Sequence, residues 1–273
     1  MMHSLYIKTP GKTKKREVLE KSEILSVCYH DLFDFPLTFA DIIKWSAPEY
    51  LSPNHDKDAV IYQNGYYFLR GREGLVYKRT LRSRISAKKL GIATKASHAL
   101  SIIPAVKMVA VTGSLAMGNA ADESDIDLFI ITGKNLLWTT RILSHLVLNL
   151  FGFDLRKAGD TNQKNKLCLN MWMDEADLVW KKRDRNLYTA HEIAQILPLI
   201  NKNETYEKFL YKNKWISQFW PNAVKIQRID NRVQGVVEKL CARSCTLLTT
   251  VVEKLAFALQ YRYMRSKITR EVV

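Results

Sequence analysis

Asp125 and Asp127 stand on either side of Ile126 in Ser124-Asp125-Ile126-Asp127-Leu128-Phe129-Ile130-Ile131-Thr132, a run that is otherwise apolar and β-branched. Such a run reads as a strand, where side chains alternate faces. Both carboxylates therefore point one way while Ile126 and Leu128 point into a core. Two carboxylates a strand repeat apart make a site for a hard divalent cation. Magnesium is characteristically held by one or two carboxylates, with substrate phosphates supplying further oxygens. Upstream, Val109-Ala110-Val111-Thr112 reads as another strand that stops at Gly113-Ser114. Glycine lets the backbone approach a ligand closely, and the serine offers a hydroxyl and an amide to a phosphate. Asp122 and Glu123 crowd the same loop of a strongly basic chain, and like charges that close favour a counter-cation.

A hydrophobic strand, Gly-Ser, a spacer and Asp-hydrophobic-Asp, standing here as Val111-Thr112-Gly113-Ser114 and Ser124-Asp125-Ile126-Asp127-Leu128, resemble the signature of the nucleotidyltransferase superfamily that includes DNA polymerase β. The resemblance runs from roughly Pro104 to Asp177. It implies an α+β fold built on a nucleotidyltransferase-type mixed sheet. It also implies a nucleoside triphosphate as substrate, with Gly113, Ser114 and Ser124 binding the nucleotide and Asp125 and Asp127 ligating Mg2+ or Mn2+. The superfamily usually places a third carboxylate on a following strand, as metal ligand or as base for the attacking group. Two positions compete for it. Phe153-Asp154-Leu155 fits the hydrophobic-acid-hydrophobic pattern, whereas Leu167-Cys168-Leu169-Asn170-Met171-Trp172-Met173 alternates better but centres on an amide. Asp154 is assigned here as the third catalytic residue; Asn170 in its place would leave the site weak. The expected activity is transfer of a nucleoside monophosphate to a hydroxyl of a small molecule, a protein or an RNA. The alternative is a catalytically weak or inactive relative that binds nucleic acid or regulates.

The elements around this centre follow from periodicity and composition. The chain has 273 residues, 47% of them hydrophobic, enough to bury a core and to form two or three domains. Residues 1–16 read as a flexible basic arm. Residues 17–72 resemble a winged helix. They hold a helix over 17–32, a second capped by Thr38, a short third over 56–63, an Asn64-Gly65 turn and an aromatic strand, Tyr66 to Arg70. Residues 73–103 form a connecting helix. From Arg70 to Lys95 the chain carries nine cationic residues against Glu73 alone, so this helix and the winged helix are the expected nucleic-acid contacts. Residues 104–180 form the transferase domain, with a helix over 136–151 that sets Arg141 and His145 one turn apart. Residues 181–273 read as a helical bundle, with helices over 187–200, 204–219 and 230–265.

The net charge of +15 favours polyanionic partners. Cys28, Cys168, Cys241 and Cys245 lack a Cys-x-x-Cys pair and read as buried thiols rather than as a disulfide framework or a zinc site. The apolar runs fall short of the about 20 residues a bilayer requires. With no secretory h-region in residues 1–16, the expectation is a cytoplasmic protein. His191-Glu192-Ile193-Ala194-Gln195 lacks the second histidine of a zinc-peptidase motif.

Overall fold

The structure, a computed structural model, describes residues 19–51, 59–157, 159–227 and 246–271. The chain divides into two compact units. Among the described residues, those up to Arg84 with Asn186–Ala194 and Trp215–Lys225 make the first, and Ile85–Arg185, Gln195–Lys214 and those beyond Lys225 make the second.

The first unit holds α1 (Lys21–Asp31), α2 (Phe39–Lys44), a 3-10 turn (Glu49–Leu51), a hairpin of β1 (Val60–Gln63) and β2 (Tyr66–Leu69), and the start of α3 (Gly74–Ser101). Thr38 caps α2 as its sequence predicts: its hydroxyl accepts from Asp41 N at 3.2 Å, while Asp41 Oδ2 accepts from Thr38 N at 3.0 Å. The hairpin turns at Asn64 and Gly65, both at positive φ, the backbone a two-residue turn of this hand requires. The helix expected over 56–63 is corrected from Val60 onward. Val60–Gln63 pairs with Tyr66–Leu69 as a strand, because its β-branched and aromatic residues gain a cross-strand partner across the turn.

Part of the basic run beginning at Arg70 is neutralised within the first unit. Arg72 pairs with Asp31 at 3.1 Å and Asp34 at 2.7 Å, and Lys78 and Arg82 reach Asp34 at 2.5 and 3.9 Å. Arg79 lies 3.6 Å from Asp41 with its guanidinium 3.3 Å from the centre of the Phe35 ring. Acids some forty positions upstream thus neutralise cations that look unopposed within their own window. The expected nucleic-acid face loses much of the charge it rested on.

Within the first unit, α6 (Leu187–Ala194) brings His191 against His30. His30 Nδ1 lies 2.8 Å from the Ser26 carbonyl and so carries a proton, leaving Nε2 to accept from His191 Nε2 at 3.2 Å. His191 Nδ1 is then a bare acceptor, and among the described residues it has no hydrogen-bond partner. Trp45 and Trp220 pack around both rings. Burial holds both imidazoles below their ordinary range, and each is neutral in the fold. Below pH about 6.5 the unfolded chain takes up protons that these rings refuse, so stability should fall as pH drops, by about 1.4 kcal/mol per pH unit per histidine. Chemical denaturation at pH 7.0 and 5.5 checks this. His30→Phe should flatten the slope.

The second unit is built on a four-stranded mixed sheet in the order β5-β4-β3-β6, from β3 (Val106–Val111), β4 (Ile126–Thr132), β5 (Leu167–Asp174) and β6 (Leu197–Asn201). β4 runs antiparallel to β3 and parallel to β5. Beyond Asp127 both faces of β4 are covered, since Leu128, Phe129, Ile130 and Ile131 are fully buried. One face packs on Ala93, Ala96 and Leu100 of α3 and on Leu148 of α5 (Leu137–Leu150). On the other, Phe129 meets Phe209 of α7 (Thr205–Lys212), ring centres 5.4 Å apart. β6 corrects the all-helical reading beyond Arg185: Leu197–Asn201 completes the sheet against β3.

The final described helix, α8 (Thr246–Glu271), docks on α5. Leu136 offers α5 no capping side chain, so Glu253 of α8 supplies the acceptors, taking the amides of Trp138 and Thr139 at 2.6 and 2.9 Å. Val233, Val236, Val237 and Leu240, expected on the same long helix, lie outside the described residues.

Candidate active site

β3 and β4 converge where the carboxylates stand. Thr112 N donates to Asp127 O at 3.1 Å, carrying the strand pairing one step past β3 before the chain turns at Gly113 into the short helix α4 (Gly113–Ala116). Gly113 has φ +62, and a Cβ there would come within 3.2 Å of Asp127 Oδ2. Glycine thus lets the turn form and lets it lie against the carboxylate. Gly113→Ala should cost about 1 kcal/mol in a thermal melt and weaken any nucleotide binding by pressing on Asp127. Unchanged values for both would remove the close-approach argument.

The loop between Gly113 and Asp125 is held from beneath. Lys89 on α3 is 1% exposed. Its ammonium donates to Asp122 O at 3.0 Å, Ser124 O at 2.7 Å and Asn165 Oδ1 at 3.0 Å. Ser86 Oγ accepts from Ala120 N at 2.9 Å. Three donors meet three acceptors, so this buried cation is satisfied and fixes where the loop runs. In the sequence Lys89 sits in the basic run, and nothing there marks it as a loop anchor. Lys89→Met leaves these acceptors without their donor and should destabilise the protein by about 3 kcal/mol in denaturant titration.

Oxygens of Asp125 and Asp127 and the Cys168 sulfur all lie within 4.8 Å of one another, the one such group of potential metal ligands among the described residues. Cys168 arrives by register, since it is the residue of β5 paired with Asp127. Burial first, and the Asp125 charge second, raise the Asp127 carboxyl above its usual range. Burial and the two carboxylates together push the Cys168 thiol up to about 11, so it is protonated at neutral pH. Arg156 also converges here: Nη1 lies 2.8 Å from Asp125 Oδ2 and 3.9 Å from Cys168 Sγ. The Arg156 side chain is 39% exposed and the Asp125 side chain 13%, so the arginine can swing into solvent while the aspartate keeps its place.

The other expected residues are placed as follows. Ser114 is exposed beside Gly113. Ser124 gives its hydroxyl to Ala121 O at 2.9 Å and its carbonyl to Lys89. Asp154 is exposed and lies outside the carboxylate and thiol group. Its segment pairs through Leu155 with Leu167, a residue whose other side pairs with Ile126 of β4. β5 therefore stands between Asp154 and the aspartates. Asn170 is exposed further along β5. Arg156 and Cys168 are the neighbours that sequence reasoning missed. The parallel register of β4 and β5 places Cys168, and the bridge of Leu155 to Leu167 brings Arg156 alongside; alternation encodes neither.

Two carboxylates that repel each other fit a hard cation such as magnesium or manganese, with phosphates completing the ligand set. The protonated thiol does not add a hard ligand. Residues 92–171 match the family model for the nucleotidyltransferase domain, a span that contains Gly113, Ser114, Asp125, Asp127 and Cys168. Neither the curated proteins nor the solved structures gave a match. Among the described residues no helix is long and apolar enough to cross a membrane.

Proposed function

We propose that this chain is a metal-dependent nucleotidyltransferase that moves a nucleoside monophosphate from a nucleoside triphosphate to a hydroxyl. The observation that carries this reading is the convergence of Asp125 and Asp127 beside the Gly113 turn, inside the span that matches a nucleotidyltransferase domain. A magnesium or manganese ion on the two carboxylates would neutralise charge on the phosphates and on the attacking oxygen. The remaining work is positioning, the main demand of phosphoryl-type transfer. Gly113 and Ser114 hold phosphate oxygens with backbone and hydroxyl donors. Lys89 keeps the loop that carries Asp125 in place, and Arg156 balances Asp125 until a substrate arrives. Incubation with α-labelled and γ-labelled nucleoside triphosphates, magnesium and a cell extract, compared with the same extract lacking the protein, tests it. Label from the α position should enter a product while the γ label leaves as pyrophosphate. γ label in a product, or no labelled product at all, would reject nucleotidyl transfer.

A second reading is a nucleotide-binding protein with little turnover, and the thiol at Cys168 favours it. A protonated sulfur beside the aspartates is no proton acceptor at neutral pH. Under that reading nucleotide binds in the same place but the label stays on the triphosphate.

A further inference from the structure

Magnesium and zinc make different demands on a metal site, and the donors gathered at Asp127 separate the two ions. Magnesium takes oxygen ligands, keeps several waters and is held by one or two carboxylates together with substrate phosphates. Zinc accepts thiolate, imidazole and carboxylate alike, and where it serves chemistry it characteristically has three protein ligands and one open position. Asp125, Asp127 and Cys168 are three such donors, all partly buried, with their ligand atoms within 4.8 Å of one another. Donors shared by one zinc ion lie about 3.5 Å apart, given bonds of about 2.1 Å to oxygen and about 2.3 Å to sulfur. Side-chain rotation suffices to close the difference.

Two observations make the sulfur a member of this set. The parallel ladder pairs Cys168 of β5 with Asp127 of β4, so the two side chains leave the sheet next to each other on one face. Arg156 marks the place to which positive charge is drawn. Its Nη1 lies 2.8 Å from Asp125 Oδ2 and 3.9 Å from Cys168 Sγ, so in the resting protein one cation already faces a carboxylate and the sulfur together. The arginine reaches solvent and can withdraw when an ion takes its place.

A thiol that coordinates zinc gives up its proton, here to solvent. The thiolate then joins two carboxylates around the ion. Magnesium gains nothing comparable, because sulfur is a soft ligand and magnesium a hard ion. Cys168 thus counts toward one class of metal and is silent toward the other.

We infer that Cys168 sets the metal preference of this site: magnesium or manganese is held by Asp125 and Asp127 alone, whereas zinc is held more tightly, by both carboxylates and the Cys168 sulfur. The consequence for activity rests on the nucleotidyl-transfer reading above. Three protein donors leave zinc a single open position, too few for both the phosphates and the attacking oxygen. Zinc therefore inhibits transfer by displacing magnesium.

Titration of the full chain with cobalt tests the assignment without needing turnover, since cobalt stands in for zinc and absorbs in the near ultraviolet when bound to thiolate. The wild type should develop the sulfur-to-cobalt band, zinc should bleach it, and an equal concentration of magnesium should not. Oxygen and nitrogen sites in general bind zinc more tightly than manganese, so the share of the sulfur is read from the variant that removes it. Cys168→Ser should lose the band and lower zinc affinity relative to manganese affinity by at least 10- to 100-fold, the loss typical of a residue that only supports a metal ligand. Asp125→Asn and Asp127→Asn should each weaken cobalt binding. No band in the wild type, or a band that survives in Cys168→Ser and so comes from Cys28, Cys241 or Cys245, would overturn the inference. An unchanged band in both aspartate variants would do the same, as would an equal loss of zinc and manganese affinity in Cys168→Ser. Manganese-dependent nucleotide binding is measured on the same samples. If it is present while the band fails, the metal preference falls and nucleotidyl transfer stands; if the band behaves as expected while no nucleotide binds, transfer falls and the zinc ligands stand.

Discussion

Asp127→Asn should lower metal-dependent transfer by about a thousandfold or more while leaving the fold at least as stable. The two effects have one cause. Asp127 is drawn from solvent and sits beside Asp125, so its carboxyl titrates above the ordinary range and its charge is unfavourable in the resting protein. A folded-state pKa raised in this way favours the fold below the ordinary carboxylate range and is lost as pH rises through the folded value, so at neutral pH the charge works against stability. Asparagine keeps the shape and removes that charge, so the melting temperature should hold or rise. The same change removes one of two anionic oxygens available to a hard cation, and charge neutralisation of this kind is worth several kcal/mol in the transition state. Steady-state kinetics and a thermal melt on one preparation check both halves. Loss of activity together with a large loss of stability would show that Asp127 serves the fold instead.

Cys168→Asp should work in the opposite direction. At present the sulfur beside Asp127 is protonated, with its pKa held at about 11 by burial and the adjacent carboxylates. It therefore adds neither a hard ligand nor a base. A carboxylate at this register position would supply both, and a positioned general base is worth about a hundredfold. Arg156, 3.9 Å from the sulfur, is close enough to offset part of the added charge. We expect kcat with magnesium to rise by about that factor, the apoprotein to lose a few degrees of stability, and Cys168→Ser to behave like the wild type. A serine variant that loses activity, with no gain in the aspartate variant, would mean that the thiol itself is required.

The local features were largely legible in the sequence. Period-two spacing of Asp125 and Asp127 in a β-branched run, Thr38 before α2 and Asn64-Gly65 before β2 each act through nearest neighbours, and the structure places the corresponding elements there. What required the folded chain was long-range. Strand β6 is five residues long and follows a helix; Pro198 marks where that helix must stop but not what comes next, and Leu197–Asn201 is a strand because β3 has an edge to pair. The charges of Arg72, Lys78 and Arg82 appear free only while Asp31 and Asp34 are out of sight. The third position illustrates the same limit. Phe153-Asp154-Leu155 has the right letters, but β5 intervenes, and the parallel register brings Cys168 to Asp127. A pattern search weighs residue types, whereas this choice depends on which strand lies next to β4.

The most direct test titrates a non-hydrolysable nucleoside triphosphate into the protein with and without manganese, comparing wild type, Asp125→Asn, Asp127→Asn and Asp154→Asn. The account predicts binding that depends on manganese, is lost in the first two variants and is retained in the third. Binding that ignores the metal and survives in both Asp125→Asn and Asp127→Asn would contradict it.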